Sequence, residues 1–200
     1  VYSDDKGENW TTCELDKIYT ADYYYVKFFD SDNGVIVCGY AKSNDTNESS
    51  RIYSTSNGGE SWDIVGSGPA TNIIKGVVYV SSDVGFFCYD YVEGMDSNLY
   101  KTDDGGKTFA KVMLEEQELD SSAANPQGQE TETKTDSGKN GADSSEQLRW
   151  GDVYKEALTP VVDSTGIITI YLTQGKNAVY NDGKTAAKYQ SSDKGSTWKY

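Results

Sequence analysis

Residues 100–109, YKTDDGGKTF, place Asp103 and Asp104 side by side ahead of Gly105, Gly106 and Lys107. Adjacent carboxylates before a flexible Gly-Gly are the residue types of a metal loop, a phosphate cradle or a catalytic acid pair. Asp30-Ser31-Asp32-Asn33-Gly34 offers the alternating oxygen ligands of a calcium loop. Other chemistry is scarce. The chain has no histidine, the commonest general base and transition-metal ligand. Cys13, Cys38 and Cys88 form no CxxC pair, so a zinc site has no support. Cys38 and Cys88 fall in apolar runs and read as buried small hydrophobes. Three cysteines cannot all pair internally, so no disulfide scaffold is expected.

The acid pair does not stand alone. Four segments share the pattern [S/T]-x-[D/N]-x-G-x-x-[W/F], starting at positions 3, 55, 102 and 191. Their constrained residues are Ser3, Asp5, Gly7 and Trp10; Thr55, Asn57, Gly59 and Trp62; Thr102, Asp104, Gly106 and Phe109; and Ser191, Asp193, Gly195 and Trp198. Such recurrence reassigns an apparent site as a structural repeat. The hydroxyl and carboxylate side chains suit a tight turn by accepting backbone N–H bonds, Gly tolerates positive φ, and the aromatic is expected to pack inward. The spacings are 52, 47 and 89, and removing the 33 residues 115–147 brings the last to 56. A second feature recurs ahead of three copies: two apolar runs flank a polar turn at Phe28–Val37, Tyr79–Phe87 and Val161–Ile168. These are β-hairpin signals. They do not repeat the ligands of Asp30–Gly34, so that segment reads as a turn. No metal and no cofactor is expected.

Each unit therefore reads as four antiparallel strands, with the patterned turn between the third and the fourth. Units of this length are blades of a β-propeller. The expected fold is all-β, a single propeller segment over 1–200 of about three and a half four-stranded blades, opening in the third strand of one blade and ending in the fourth of another. Residues 115–147 carry nine acids against Lys134 and Lys139 and almost no large apolar side chain. They are expected to be an acidic, disordered insertion between blades.

The turn resembles the Asp-box, or BNR repeat, of sialidases, sortilin-type receptors, some bacterial glycoside hydrolases and photosystem assembly factors. Asn57 and Phe109 depart from its commonest form but keep the turn chemistry and the aromatic. For a sialidase the resemblance would imply an arginine triad; the chain has only Arg51 and Arg149. It also implies a ligand site on the face opposite the turns, formed by the connections at 41–50, 90–97 and 174–184 and by the insertion. Candidate ligand-face residues are Tyr89, Tyr91 and Trp150, whose rings suit stacking on sugars; the run Tyr23-Tyr24-Tyr25 is a further aromatic cluster.

A net charge of −14 disfavours nucleic acid and anionic membranes as partners. No apolar run reaches the roughly 18–20 residues of a bilayer span, and VYSDDKGENW has no signal-peptide pattern. The expected function is a non-catalytic interaction module, binding a glycan or a protein, of a secreted or cell-surface bacterial protein. The alternative is part of a glycoside hydrolase whose catalytic residues lie outside this chain. On either reading the rest of a larger propeller, or another chain, is an expected partner.

Overall fold

The computed structural model describes residues 1–13, 15, 21–40, 49–70, 72–118, 150–174 and 186–200. The expected four-stranded antiparallel units appear as three sheets. The first is β1 (Tyr23–Phe28), β2 (Gly34–Gly39), β3 (Ser50–Thr55) and β4 (Asp63–Ser67), hydrogen-bonded in chain order. The second is β5 (Ile74–Tyr79), β6 (Gly85–Tyr89), β7 (Leu99–Thr102) and β8 (Ala110–Lys111), in the same order. A one-turn helix α1 (Trp150–Val153) leads into the third sheet.

There the first strand, at the sheet edge, is in two pieces. Both β9 (Glu156–Ala157) and β10 (Val161–Val162) pair with β11 (Ile168–Thr173), which pairs with β12 (Ala187–Ser191). The break spans 158–160 and contains Pro160, which has no N–H to give a ladder and is tolerated because this strand is at the sheet edge. Isolated bridges, Tyr2 with Thr11 and Gln190 with Lys199, flank the first and last copies of the turn.

Successive sheets stack face to face, and side-chain alternation sends neighbouring residues to opposite layers. From β6, Phe87 and Tyr89 join Val35, Val37 and Ile52 of the first sheet. Phe86 and Cys88 join Ile168, Ile170 and Tyr189 of the third. Because β6 is covered on both sides, GFFCY is buried throughout and does not alternate polar with apolar. Burial pushes the thiols of Cys38 and Cys88 up to about 11, as expected of small hydrophobes in a core.

Side chains of β1 also complete the outer edge of β5. The Val77 N–H donates to Tyr23 Oη at 3.1 Å, the Tyr79 N–H donates to Tyr25 Oη at 3.0 Å, and Lys27 Nζ donates to the Tyr79 carbonyl at 2.7 Å. Tyr23 and Tyr25, read from sequence as part of an aromatic cluster, are consumed in joining two sheets.

Of the acidic insertion only residues 115–118 are described. Leu114, just before it, packs on the third sheet's core, and the Glu115 carbonyl accepts the Tyr189 hydroxyl at 2.5 Å. The remainder, with most of the connections at 41–50 and 174–184, lies outside the described residues.

Candidate functional site

At one end of the stack are the four patterned turns, closed by one network repeated four times. The Gly106 N–H donates to Thr102 Oγ1 at 2.8 Å, and Thr102 Oγ1 donates to Asp104 Oδ1 at 2.8 Å. Asp104 Oδ1 also accepts the Lys107 and Thr108 N–H groups at 3.0 and 2.9 Å, and Oδ2 accepts Thr108 Oγ1 at 2.6 Å. Ser191 and Asp193 reproduce this arrangement around Gly195 and Thr197. Ser3 and Asp5 do so around Gly7 and Asn9. In the second copy Asn57 takes the acid's place, accepting from Thr55 Oγ1 and the Ser61 N–H and donating to Ser61 Oγ.

Bonds of this kind favour the ionised form. The Asn9 backbone N–H, then its side chain, hold Asp5 down at about 2. The Thr108 hydroxyl, then its backbone N–H, hold Asp104 well below the usual carboxylate range, and Thr197 does the same for Asp193. Carboxylates engaged in this way do not exchange protons near neutrality. Asp103, the other half of the apparent acid pair, turns aside to Lys101 at 2.8 Å. Among the described residues no group of three potential ligands is placed to hold a metal ion.

The glycines carry the expected positive φ: +88° at Gly7, +92° at Gly59, +107° at Gly106 and +78° at Gly195. The residue before each is left-handed too, and in two copies it is a lysine, Lys6 (φ 61°) and Lys194 (φ 58°). The inward packing expected of the aromatics is only partly realised. Trp62, Phe109 and Trp198 are half-buried, meeting Phe28, Phe87 and Phe86 edge to face, while Trp10 is 64% exposed. A Cβ on Gly59 would stand 3.5 Å from Trp62 Cζ2, so that ring folds back over its own turn.

The opposite end holds a cleft of about 130 Å³ between the second and third sheets. One wall is the connection after β6, with Tyr91, Met95 and Asp96; the other comes from Met113 to Glu116 after β8 and from α1. Tyr91 and Trp150, far apart in sequence, both line it. Trp150 is nearly buried, its ring centroid 4.5 Å from that of Tyr154 and 5.2 Å from that of Tyr200, so little of its ring is open for stacking. Tyr91 and Met113 keep exposed surface.

Tyr89 must be withdrawn from the ligand face. It is fully buried between the first two sheets, its hydroxyl 3.0 Å from Ser50 Oγ, and burial pushes its phenol up to about 12. The rim is ionic: Asp96 pairs with Lys111 and Glu93 with Lys155, each at 2.9 Å. The Lys111 ammonium holds Asp96 below its ordinary value.

Sequence reading missed the floor of this cleft, Asn98, which is 1% exposed. Its Nδ2 donates to the Tyr89 carbonyl at 2.8 Å and the Ala157 carbonyl at 2.9 Å, and its Oδ1 accepts the Ala157 N–H at 2.8 Å. One amide thus clamps β9 to the second sheet. The available signal was positional: Tyr53, Tyr100 and Tyr189 each stand two residues before the turn's Ser or Thr, and two residues before Tyr53 and Tyr189 the other copies carry Arg51 and Ala187.

No protein-family model matches the chain, and no curated protein matches it. Among solved structures, the GH74 enzyme of Niastella koreensis is similar at a TM-score of 0.41 and 15% identity, over 82% of this chain and 19% of that one. The chain therefore spans about a fifth of that enzyme's length.

Proposed function

We propose that the chain is a segment of an Asp-box β-propeller acting as a non-catalytic interaction module of a secreted or cell-surface bacterial protein. It binds a glycan or protein in the cleft between the second and third sheets. The observation that carries this reading is the separation of the two ends. All four repeated turns use their Asp or Asn side chain to close themselves, whereas the cleft at the other end gathers unlike residues, Tyr91, Asp96, Met113 and Trp150, from three connections. A site that varies between repeats, mounted on a scaffold that does not, is the arrangement expected for recognition.

The cleft supports binding better than catalysis. A glycoside hydrolase needs one carboxyl group held protonated near neutrality, which takes a raised pKa. Asp96 is shifted the other way by Lys111. Tyr91 supplies an apolar ring with a polar tip, and the rim ion pairs supply donors and acceptors for hydroxyl groups. A glycan array probed with the intact chain and with Tyr91→Ala tests the proposal. Binding by the parent that falls at least tenfold in the variant is expected. A ligand bound equally by both would move the site elsewhere.

A further inference from the structure

The first sheet has a face that nothing among the described residues fully covers. Tyr24, Val26 and Phe28 of β1 are 55%, 57% and 43% exposed, and Ile64 of β4 is 47% exposed. The register explains what this face is. Phe28 pairs with Gly34 across a five-residue turn just as Tyr79 pairs with Gly85, so Val26 and Phe28 occupy the places of Val77 and Tyr79. In the second sheet those two residues are 5% and 0% exposed, because the first sheet lies on them. Their backbone groups point away from β6 and are taken up by Tyr23, Tyr25 and Lys27. As the edge strand of its sheet, β1 turns the matching N–H groups of Val26 and Phe28, and the Phe28 carbonyl, outward.

Part of a covering layer is already in place. The ribbon bridged at Tyr2 and Thr11 carries the first patterned turn, so it corresponds to the third and fourth strands of a unit. It stands over the same face across a cavity of about 570 Å³, with Val1, Tyr2 and Leu15 on its side and Val26, Phe28 and Ile36 opposite. In the first two sheets strand order follows chain order, so the strands that would lie on β1 are the first and second of a unit whose third and fourth the ribbon represents.

We infer that the outer face and edge of β1 are a docking site for such an antiparallel strand pair, which completes the sheet that the Tyr2–Thr11 ribbon begins. Its inner strand presents hydroxyl-bearing side chains at alternate positions to the Val26 and Phe28 N–H groups and an amine to the Phe28 carbonyl. This rests on the reading of the chain as a propeller segment. A second copy of the chain does not supply that chemistry. Its Tyr23, Tyr25 and Lys27 are engaged on its own β5, and the outer face of its third sheet, which exposes Val161 and Tyr171 beside Lys188 and Gln190, carries Val161 at the place of Lys27. The boundary between the second and third sheets shows that the chemistry is specific. There Pro160, with no N–H, stands at the place of Val77, and Gly76 lies hard against Thr159 in place of a tyrosine contact.

The test is a fusion in which a second copy of residues 21–52 precedes Val1, read by amide hydrogen exchange. Val26 and Phe28 are expected to exchange about tenfold or more slowly than in the unfused chain. Changing to Phe the two tyrosines of the added copy that correspond to Tyr23 and Tyr25 should reverse that protection. Unchanged exchange at Val26 and Phe28, in a fusion whose β5–β7 amides stay protected, would overturn the inference. So would an unfused chain that sediments as a dimer with these amides already protected. Should the fusion misfold, Val26→Lys in the unfused chain decides: an unchanged melting temperature is expected, and a marked fall would mean the face is already covered. None of these readouts involves the cleft, so failure of glycan binding leaves them unaffected.

Discussion

Asn98 offers the sharpest check on how the sheets are held together. Truncation to alanine removes three hydrogen bonds inside the core, to the Tyr89 carbonyl and to both backbone groups of Ala157. Each is worth about 1 kcal/mol net, and a buried group left without a partner costs about 1–3 kcal/mol. The Ala157 carbonyl keeps a longer bond from Cys88 Sγ at 3.2 Å, but its N–H and the Tyr89 carbonyl lose the amide. Since the two ways of counting overlap, Asn98→Ala should cost about 3–5 kcal/mol, a large share of the roughly 5–15 kcal/mol that holds a domain together. Urea unfolding followed by tryptophan fluorescence measures it.

Asn98→Asp adds a readout that a generic packing defect would not give. The carboxylate would face two carbonyl oxygens away from water, so its folded-state pKa rises above the unfolded value of about 3.9. The folded state then holds more protons, and the variant's penalty relative to the parent shrinks as pH falls through the raised value. An Asn98→Ala variant within about 1 kcal/mol of the parent, or an Asn98→Asp penalty that does not change between pH 7 and pH 5, would refute the clamp.

Other outcomes follow from the turns and the sheet boundary. Tyr25→Phe leaves the Tyr79 N–H without its partner and should cost about 1–2 kcal/mol in urea unfolding. Gly106→Ala should cost about 1–3 kcal/mol, since φ is +107° and a Cβ would stand 3.0 Å from Ile52 Cδ1, whereas Lys194→Gly should stabilise by about 0.5–1 kcal/mol; melting curves separate the two. Trp62→Ala should cost about 1.5–3 kcal/mol, short of the 3–5 kcal/mol of a fully buried aromatic, and exposed Trp10→Ala less than about 1 kcal/mol. Asp104 has a depressed folded pKa, so its stabilisation is present above about pH 4 and is lost as pH falls toward the folded value. Asp104→Asn, which copies Asn57, should therefore flatten the acid side of a melting-temperature profile while leaving its neutral plateau nearly intact.

The turns were legible from sequence because their physics is local. Every bond that closes one lies within a few residues, as from Gly106 to Thr102 and from Thr108 to Asp104, so residue types at fixed spacing carry the information. The hairpins were legible for the same reason. The second left-handed residue of the first and last turns was not, since Lys6 and Lys194 give no compositional sign of it.

What depends on distant pairing had no such signature. Tyr89 and Tyr91, two residues apart in one aromatic segment, are separated by what covers them: Ser50 of another sheet closes over Tyr89, while Tyr91 lines the cleft. Trp150 reaches that cleft only because α1 returns to the end of the stack, and there it is packed among tyrosines. Tyr25 meets Tyr79 across 54 residues and Asn98 meets Ala157 across 59. The sequence by itself determined the repeated unit and the chemistry of its turns, because short-range hydrogen bonding suffices for both. Which aromatic and polar side chains face solvent was decided by sheet stacking, since burial is a property of neighbours the chain brings from far away.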